Sequence, residues 1–252
     1  MADEIPGGSS FRRWVGGILP VLGADTVVAV DGKTSRRPGK VDATPLHLVS
    51  AFAAGVGLVL GQRATAAKLN EKTAVPQLVA TLALKGCIVT IDAVGTQANI
   101  AQVIRDRGAD YVLTVKDNQQ TLADSMRDFY EPFKTAHQHA PHNAFETIEK
   151  DHGRIEVRRC FAFDQLDCLA KPEQWSDLKS FALIESERSI NGRKPCEHRF
   201  YISSRPADAE RLAKAVRAHW AVENGLHWYV DVVFGDDEMR AREGMPRTTS
   251  RC

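Results

Sequence analysis

Two short apolar runs, Thr26-Val27-Val28-Ala29-Val30 and Cys87-Ile88-Val89-Thr90-Ile91, each lead straight into an aspartate, Asp31 and Asp92. Brief continuous runs rich in β-branched residues and bounded by turn signals read as buried strands. An acid where such a strand ends faces the carboxyl edge of the sheet, where open α/β sheets bind ligands. One aspartate in that place is as readily a helix N-cap. The repetition favours a functional pair. Carboxylates delivered by neighbouring strands raise each other's pKa unless a cation lies between them. A hard divalent ion such as Mg2+ suits oxygen ligands of this kind.

Around the two runs the pattern is orderly. Strands are expected over 25–30, 46–54 and 57–65, the last two joined at Gly55. A helix over 73–84 places Val75, Leu78, Val79 and Leu82 on one face, and Lys85-Gly86 ends it. The central strand to Asp92 follows, then a helix over 97–107, a strand over 111–115 and a helix over 119–137. The order is β-β-β-α-β-α-β, an α/β class. Directly after the first acid comes a basic stretch, 33–40, expected as a loop. Lys33, Arg36 and Arg37 in it read equally as a solvated turn or as phosphate contacts beside a cation site. From about 145 to 204 the character changes to strands, with a hairpin at Gly153 and a turn at Asn191-Gly192. A helix from about Asp208 then carries Leu212, Val216 and Trp220 on a core stripe.

Composition excludes several classes. The net charge of +1 over 252 residues gives no global signal for nucleic acid, so any DNA surface has to be a local patch. The five cysteines form no C-x-x-C pair and are odd in number, which argues for reduced thiols. No stretch approaches the roughly 20 apolar residues of a membrane span. The acidic, Gly/Ser-rich start is no secretory signal.

A third acid stands in His219-Trp220-Ala221-Val222-Glu223-Asn224, followed by Leu226-His227-Trp228 and Asp231-Val232. On a helix His219, Glu223 and His227 share one face, a set that also suits zinc. Three ligands on consecutive turns spread over more than about 10 Å at a rise of roughly 1.5 Å per residue, too far for one tetrahedral ion. Trp220 and Trp228 read as core rather than base-stacking groups. This block, Val30-Asp31-Gly32-Lys33, and Asp92-Ala93-Val94-Gly95-Thr96-Gln97 with Lys116-Asp117-Asn118-Gln119 together resemble the catalytic blocks of DDE transposases of the ISAs insertion-sequence family and its H-repeat-associated relatives. Lys68-Leu69-Asn70-Glu71-Lys72 resembles that family's segment before its first core helix. The wider superfamily's basic residues four before and seven after the glutamate are absent, since His219 and Val230 stand there.

The resemblance implies a ribonuclease-H-like mixed sheet flanked by helices, with first and fourth strands adjacent and a β-rich insertion before the last catalytic helix. It divides the chain into a disordered or short helical remnant at 1–24, a first part of the core at 25–137, the insertion at 138–205, the glutamate helix at 206–243 and an irregular tail at 244–252. It implies metal-dependent DNA strand cleavage and transfer at insertion-sequence ends, with Asp31, Asp92 and Glu223 as catalytic metal ligands. Two Mg2+ or Mn2+ ions would be held, Asp31 bridging them. Lys33, Arg36, Arg37, Lys116, His219 and Asn224 are the candidate DNA contacts. DNA is the implied partner, a homodimer is compatible, no membrane is involved, and the setting is the bacterial cytoplasm at the nucleoid. Three alternatives stand beside this reading: a plain ribonuclease-H-like nuclease, a non-catalytic remnant of a broken element, and a zinc hydrolase. Relatives carry a further domain before the first catalytic strand, so this chain by itself is expected not to excise an element.

Overall fold

A computed structural model describes residues 23, 25–34, 47–65, 71–135, 142–151, 154–189, 195–220 and 222. Strands β1 (Val27–Thr34), β2 (His47–Ala53) and β3 (Leu58–Thr65) form an antiparallel meander. The turn joining β2 and β3 holds Gly55, as expected, and takes its left-handed residue at Gly57, φ 65°. Helix α1 (Glu71–Ala80) follows, then β4 (Ile88–Ile91), α2 (Ala98–Asp106), β5 (Asp110–Val115) and α3 (Gln120–Thr135). A strand-rich section supplies β6 (Asn143–Asp151), β7 (Arg154–Phe163), β8 (Ser180–Ser189) and β9 (Cys196–Ser203). Helix α4 (Ala209–His219) comes last among the described elements.

The nine strands among the described residues belong to one sheet in the order β3-β2-β1-β4-β5-β9-β8-β7-β6. The strands β1, β4 and β5 run parallel, and the remaining ladders are antiparallel. The fold is therefore α/β, a large mixed sheet with helices on both faces. One face carries α1, α2 and α3 over Val28, Val30, Val89, Ile91, Leu113 and Phe163. The other carries α4, whose Ala209, Leu212, Ala215 and Val216 cover Ile88, Val112, Cys160, Ala162 and Tyr201. Alternation along each strand assigns its residues to these two cores. With both faces covered, β4 is buried along its whole length, which explains its unbroken apolar run. Aromatic rings knit the strand-rich section to α3: Phe163 of β7 lies 4.9 Å from Phe129, 5.1 Å from Phe133 and 4.9 Å from Phe181 between ring centroids.

Two expectations are corrected. Helix α1 stops at Ala80 rather than at 84. The Thr81 hydroxyl takes the Leu78 carbonyl at 2.7 Å, and the amides of Thr81 and Leu82 close tight turns onto Leu78 and Val79 in place of helical bonds. Strand β1 does not end before Asp31. It runs on against β2 to Thr34, so Lys33 is a strand residue and not part of a loop. Residues 35–40, with Arg36 and Arg37, lie outside the described residues, as do 1–22. The turn at 191–192 and the third acid lie outside them too. Among the described residues no helix is long and apolar enough to cross a membrane.

Candidate active site

The parallel ladder between β1 and β4 pairs Val27 with Ile88 and ends with Val30 opposite Ile91. The next residue on each strand is an acid, so Asp31 and Asp92 come off adjacent strands at matching positions. Beyond this point the strands part. β1 continues along β2, while β4 turns into a single 3-10 turn over Ala93–Gly95. The split opens a crevice at the carboxyl edge of the sheet.

Asp92 occupies the N-cap position of that turn, yet its side chain makes no cap hydrogen bond. Its Oδ1 instead stands 3.6 Å from Lys116 Nζ, at the end of the neighbouring β5, with both side chains half exposed. The capping reading of this aspartate therefore fails. Other groups hold the loop. The buried Thr96 hydroxyl donates to the Thr114 carbonyl at 2.7 Å. The Asn118 amide reaches the carbonyls of Ala93 and Thr96, and the Gln119 amide donates to Thr96 at 3.0 Å. The Lys116-Asp117-Asn118-Gln119 stretch thus clamps the turn that follows Asp92. Gly95 is required there, because a methyl group on it would collide with Ile91 Cγ2.

The far wall is α4. Its N-cap Asp208 accepts from the Arg211 amide at 3.0 Å, fixing where the helix starts. Its last residue, His219, then reaches the strand, with Nδ1 3.0 Å from Thr90 Oγ1. Asp31, Thr90, Asp92, Lys116, Arg199, Tyr201, His219 and Trp220 line one small cavity. Arg199 of β9 stands over Trp220, its guanidinium carbon 4.6 Å from the ring centre.

Burial pushes the Asp31 carboxyl above its ordinary value. The Gly32 amide, donating at 2.8 Å, and His219 oppose the rise, while Asp92 and Glu71 add to it. Burial pushes the His219 imidazole down, favouring its neutral form, with Asp31 and Asp92 pulling the other way and Arg199 assisting. The buried Tyr201 hydroxyl is pushed up to about 12. A carboxyl whose folded pKa lies above its ordinary 3.8 contributes stability that is complete below that value and is lost as pH rises through the folded value. At neutral pH the ionised Asp31 is thus a cost. Asp31→Asn removes that ionisation and is expected to raise the melting temperature at pH 7 in EDTA, with the gain fading toward pH 3. Calorimetry across pH checks this, and a variant melting below wild type at pH 7 contradicts it.

Of the residues singled out from sequence, Asp31, Asp92, Lys116 and His219 meet at this crevice. Lys33 is on the same face of β1 as Asp31, two residues along. His219 is half-buried against β4 rather than presented on an open surface. Glu223 and Asn224 lie outside the described residues. Sequence reading gave no role to Thr90, Arg199, Tyr201, His47 or Glu71. Glu71 did fall inside a block noted for its resemblance, whereas Arg199 and Tyr201 carry no local signal beyond strand alternation. Among the described residues no three of His, Cys, Asp and Glu gather as a metal-ligand set. The two carboxylates supply the hard oxygen donors a divalent cation prefers, and the Asp31 charge, buried beside a second acid, is one a cation would relieve.

Comparison with known proteins points the same way. A family model described as "Transposase DDE domain" matches residues 22–244. The chain is 40% identical over 231 residues to "H repeat-associated putative transposase YhhI" of Escherichia coli K12, covering 86% of this chain and 59% of that protein. Protein YbfL of the same organism shows the same identity and coverage. An uncharacterised protein encoded in the dhlA 3' region of Xanthobacter autotrophicus is 40% identical over 190 residues, 74% of this chain and 63% of its own length. The chain spans less than two thirds of the length of these relatives.

Proposed function

The chain belongs to the DDE transposase family, and from that premise we propose that it is a transposase catalytic domain, cleaving DNA strands at the ends of an insertion sequence and joining them to target DNA. The observation that carries this reading is the register of β1 and β4, which brings Asp31 and Asp92 side by side at one crevice. A ribonuclease-H-like core accords with the β3-β2-β1-β4-β5 order and with the antiparallel-then-parallel directions.

Asp31 and Asp92, joined by Glu223, would hold Mg2+ or Mn2+, two ions in the fullest form. A cation held there supplies a charged clamp on the reacting phosphate and a more acidic bound water. The chain's own residues do the rest. Lys116 stands beside Asp92 and orients its carboxylate while placing a positive charge where a phosphate would approach. Arg199, over the Trp220 ring, offers a second cation at the same cavity. Lys33 extends the basic edge along β1 from Asp31. His219, held by Thr90 and pushed toward its neutral form by burial, lines the same cavity as the two acids. With charge arranged locally, a chain of net charge +1 still presents cations at the place of reaction.

The test is a strand-transfer assay. The purified chain is incubated with Mn2+, a labelled duplex ending in an exposed 3′-hydroxyl and a supercoiled plasmid. Label joined to plasmid is the expected result. Plasmid nicking without joining would mark a nuclease of the same fold, and neither product would mark a non-catalytic remnant.

A further inference from the structure

On the face of β1 opposite His219 lies a further acid that the reading above leaves without a role. Glu71 opens α1 and is 8% exposed, with a carboxylate oxygen 2.6 Å from Nε2 of His47. His47 is 1% exposed, and its Nδ1 meets the Thr34 hydroxyl at 2.8 Å. The close contact between ring and carboxylate lacks the alignment of a hydrogen bond. It is held by burial and by the helix start, whose dipole favours an acid in the first turn. The pair presses on Gly32. A methyl there would collide with Glu71 Oε1 and stand 2.6 Å from His47 Nε2. The amide of that same Gly32 is the donor that fixes Asp31 Oδ1 at 2.8 Å. Glu71 also shares a crevice with Asp31, Gly32, Ile91 and Asp92.

We propose that Glu71, seated by His47, is a positioning residue for the cation site: its fixed negative charge strengthens cation binding by Asp31 and Asp92, and its contact with Gly32 sets how Asp31 is aimed. This rests on the reading of that site as a cation site. Asp31, Asp92 and Glu71 do not converge as direct ligands of one ion, so Glu71 acts from outside, through the field and through the β1 backbone. Two structural facts single it out from the other acids among the described residues. It is nearly buried, where solvent screens it little, and it touches Gly32 at the crevice it shares with Asp31 and Asp92.

The test is Mn2+ titration of the metal-free chain, followed by the electron paramagnetic resonance signal of free Mn2+, with melting temperatures measured in EDTA. Wild type, Asp92→Asn, Glu71→Gln and Glu71→Asp are compared. Glu71→Gln keeps the shape and loses the charge, so Mn2+ binding is expected to weaken at least fivefold, the equivalent of about 1 kcal/mol. Glu71→Asp, which keeps the charge, is expected to recover most of the loss. Wild-type affinity in Glu71→Gln, or equal losses in both Glu71 variants, overturns the proposal. Should Glu71→Gln melt below the assay temperature, His47→Asn carries the test: it leaves the charge but unseats it, and unchanged affinity there refutes the positioning role. Asp92→Asn separates the two levels. If it binds Mn2+ as wild type does, the cation site itself is misplaced and this inference falls with it.

Discussion

Asp92→Asn is expected to leave the melting temperature close to that of the wild type and to slow Mg2+- or Mn2+-dependent strand cleavage by roughly 10²–10³-fold, the equivalent of the several kcal/mol a cation contributes to such reactions. The fold tolerates the change because the carboxylate caps nothing. Its neighbouring turn is held by Thr96, Asn118 and Gln119, and its ion-pair partner among the described residues is the half-exposed Lys116, a pair of small energetic value. The charge is therefore there for something other than stability. Plasmid nicking rates beside thermal melts decide it. Cleavage at the wild-type rate would remove Asp92 from the chemistry, while a large loss of stability would return it to a structural role.

Phe163→Ala is expected to destabilise the whole molecule by about 3–5 kcal/mol, the usual cost of emptying a buried phenylalanine. In a chain of this size that lowers the melting temperature by on the order of 10 °C. Phe163 is 1% exposed and touches rings from α3 and β8, so the cavity has rigid walls. The shape of the transition matters as much as its midpoint. Because β9 pairs with β5, and Phe161, Phe163, Phe181 and Leu183 belong to the same core as Val30 and Ile91, the strand-rich section and the half bearing the acids should unfold together. One shifted calorimetric transition is the expected trace. Two transitions, with only the earlier one shifted, would mean that strands β6 to β9 fold as a separable unit.

The sequence made the acid pair visible because its signal is local. A buried strand writes itself as consecutive β-branched residues, and the two aspartates stand directly after such runs. It also left Asp92 open to a capping reading, since the N-cap position and the sheet edge coincide there. Only the direction of the side chain separates the two. The extent of β1 is hidden in the sequence for a related reason. Asp31-Gly32 looks like a turn, but the ladder from Asp31 opposite Ser50 to Thr34 opposite His47 carries the strand through it. Glycine is present at 32 because a buried glutamate and histidine fill the space of a side chain, not because the chain bends. Glu71 and His47 could not be recognised locally. They lie 24 residues apart and meet only when α1 closes over β1 and β2. Arg199 and Tyr201 reach the crevice through the β5–β9 pairing, a contact spanning more than eighty residues of chain. Pairings of that range leave no periodicity to read.

The place of β1 and β4 within the sheet has a mechanical consequence. Both are interior strands, with at least one other between them and either edge, β3 or β6. Edges fray first, and opening costs most where a strand is bonded on both sides and covered on both faces. The two acids are therefore mounted on the stiffest part of the molecule. Breathing of β3, or of the β6–β7 hairpin, can proceed while the spacing of Asp31 and Asp92 is kept. Like charges on a rigid frame cannot relax apart, so their repulsion persists in the empty protein and is available to be released when a cation arrives.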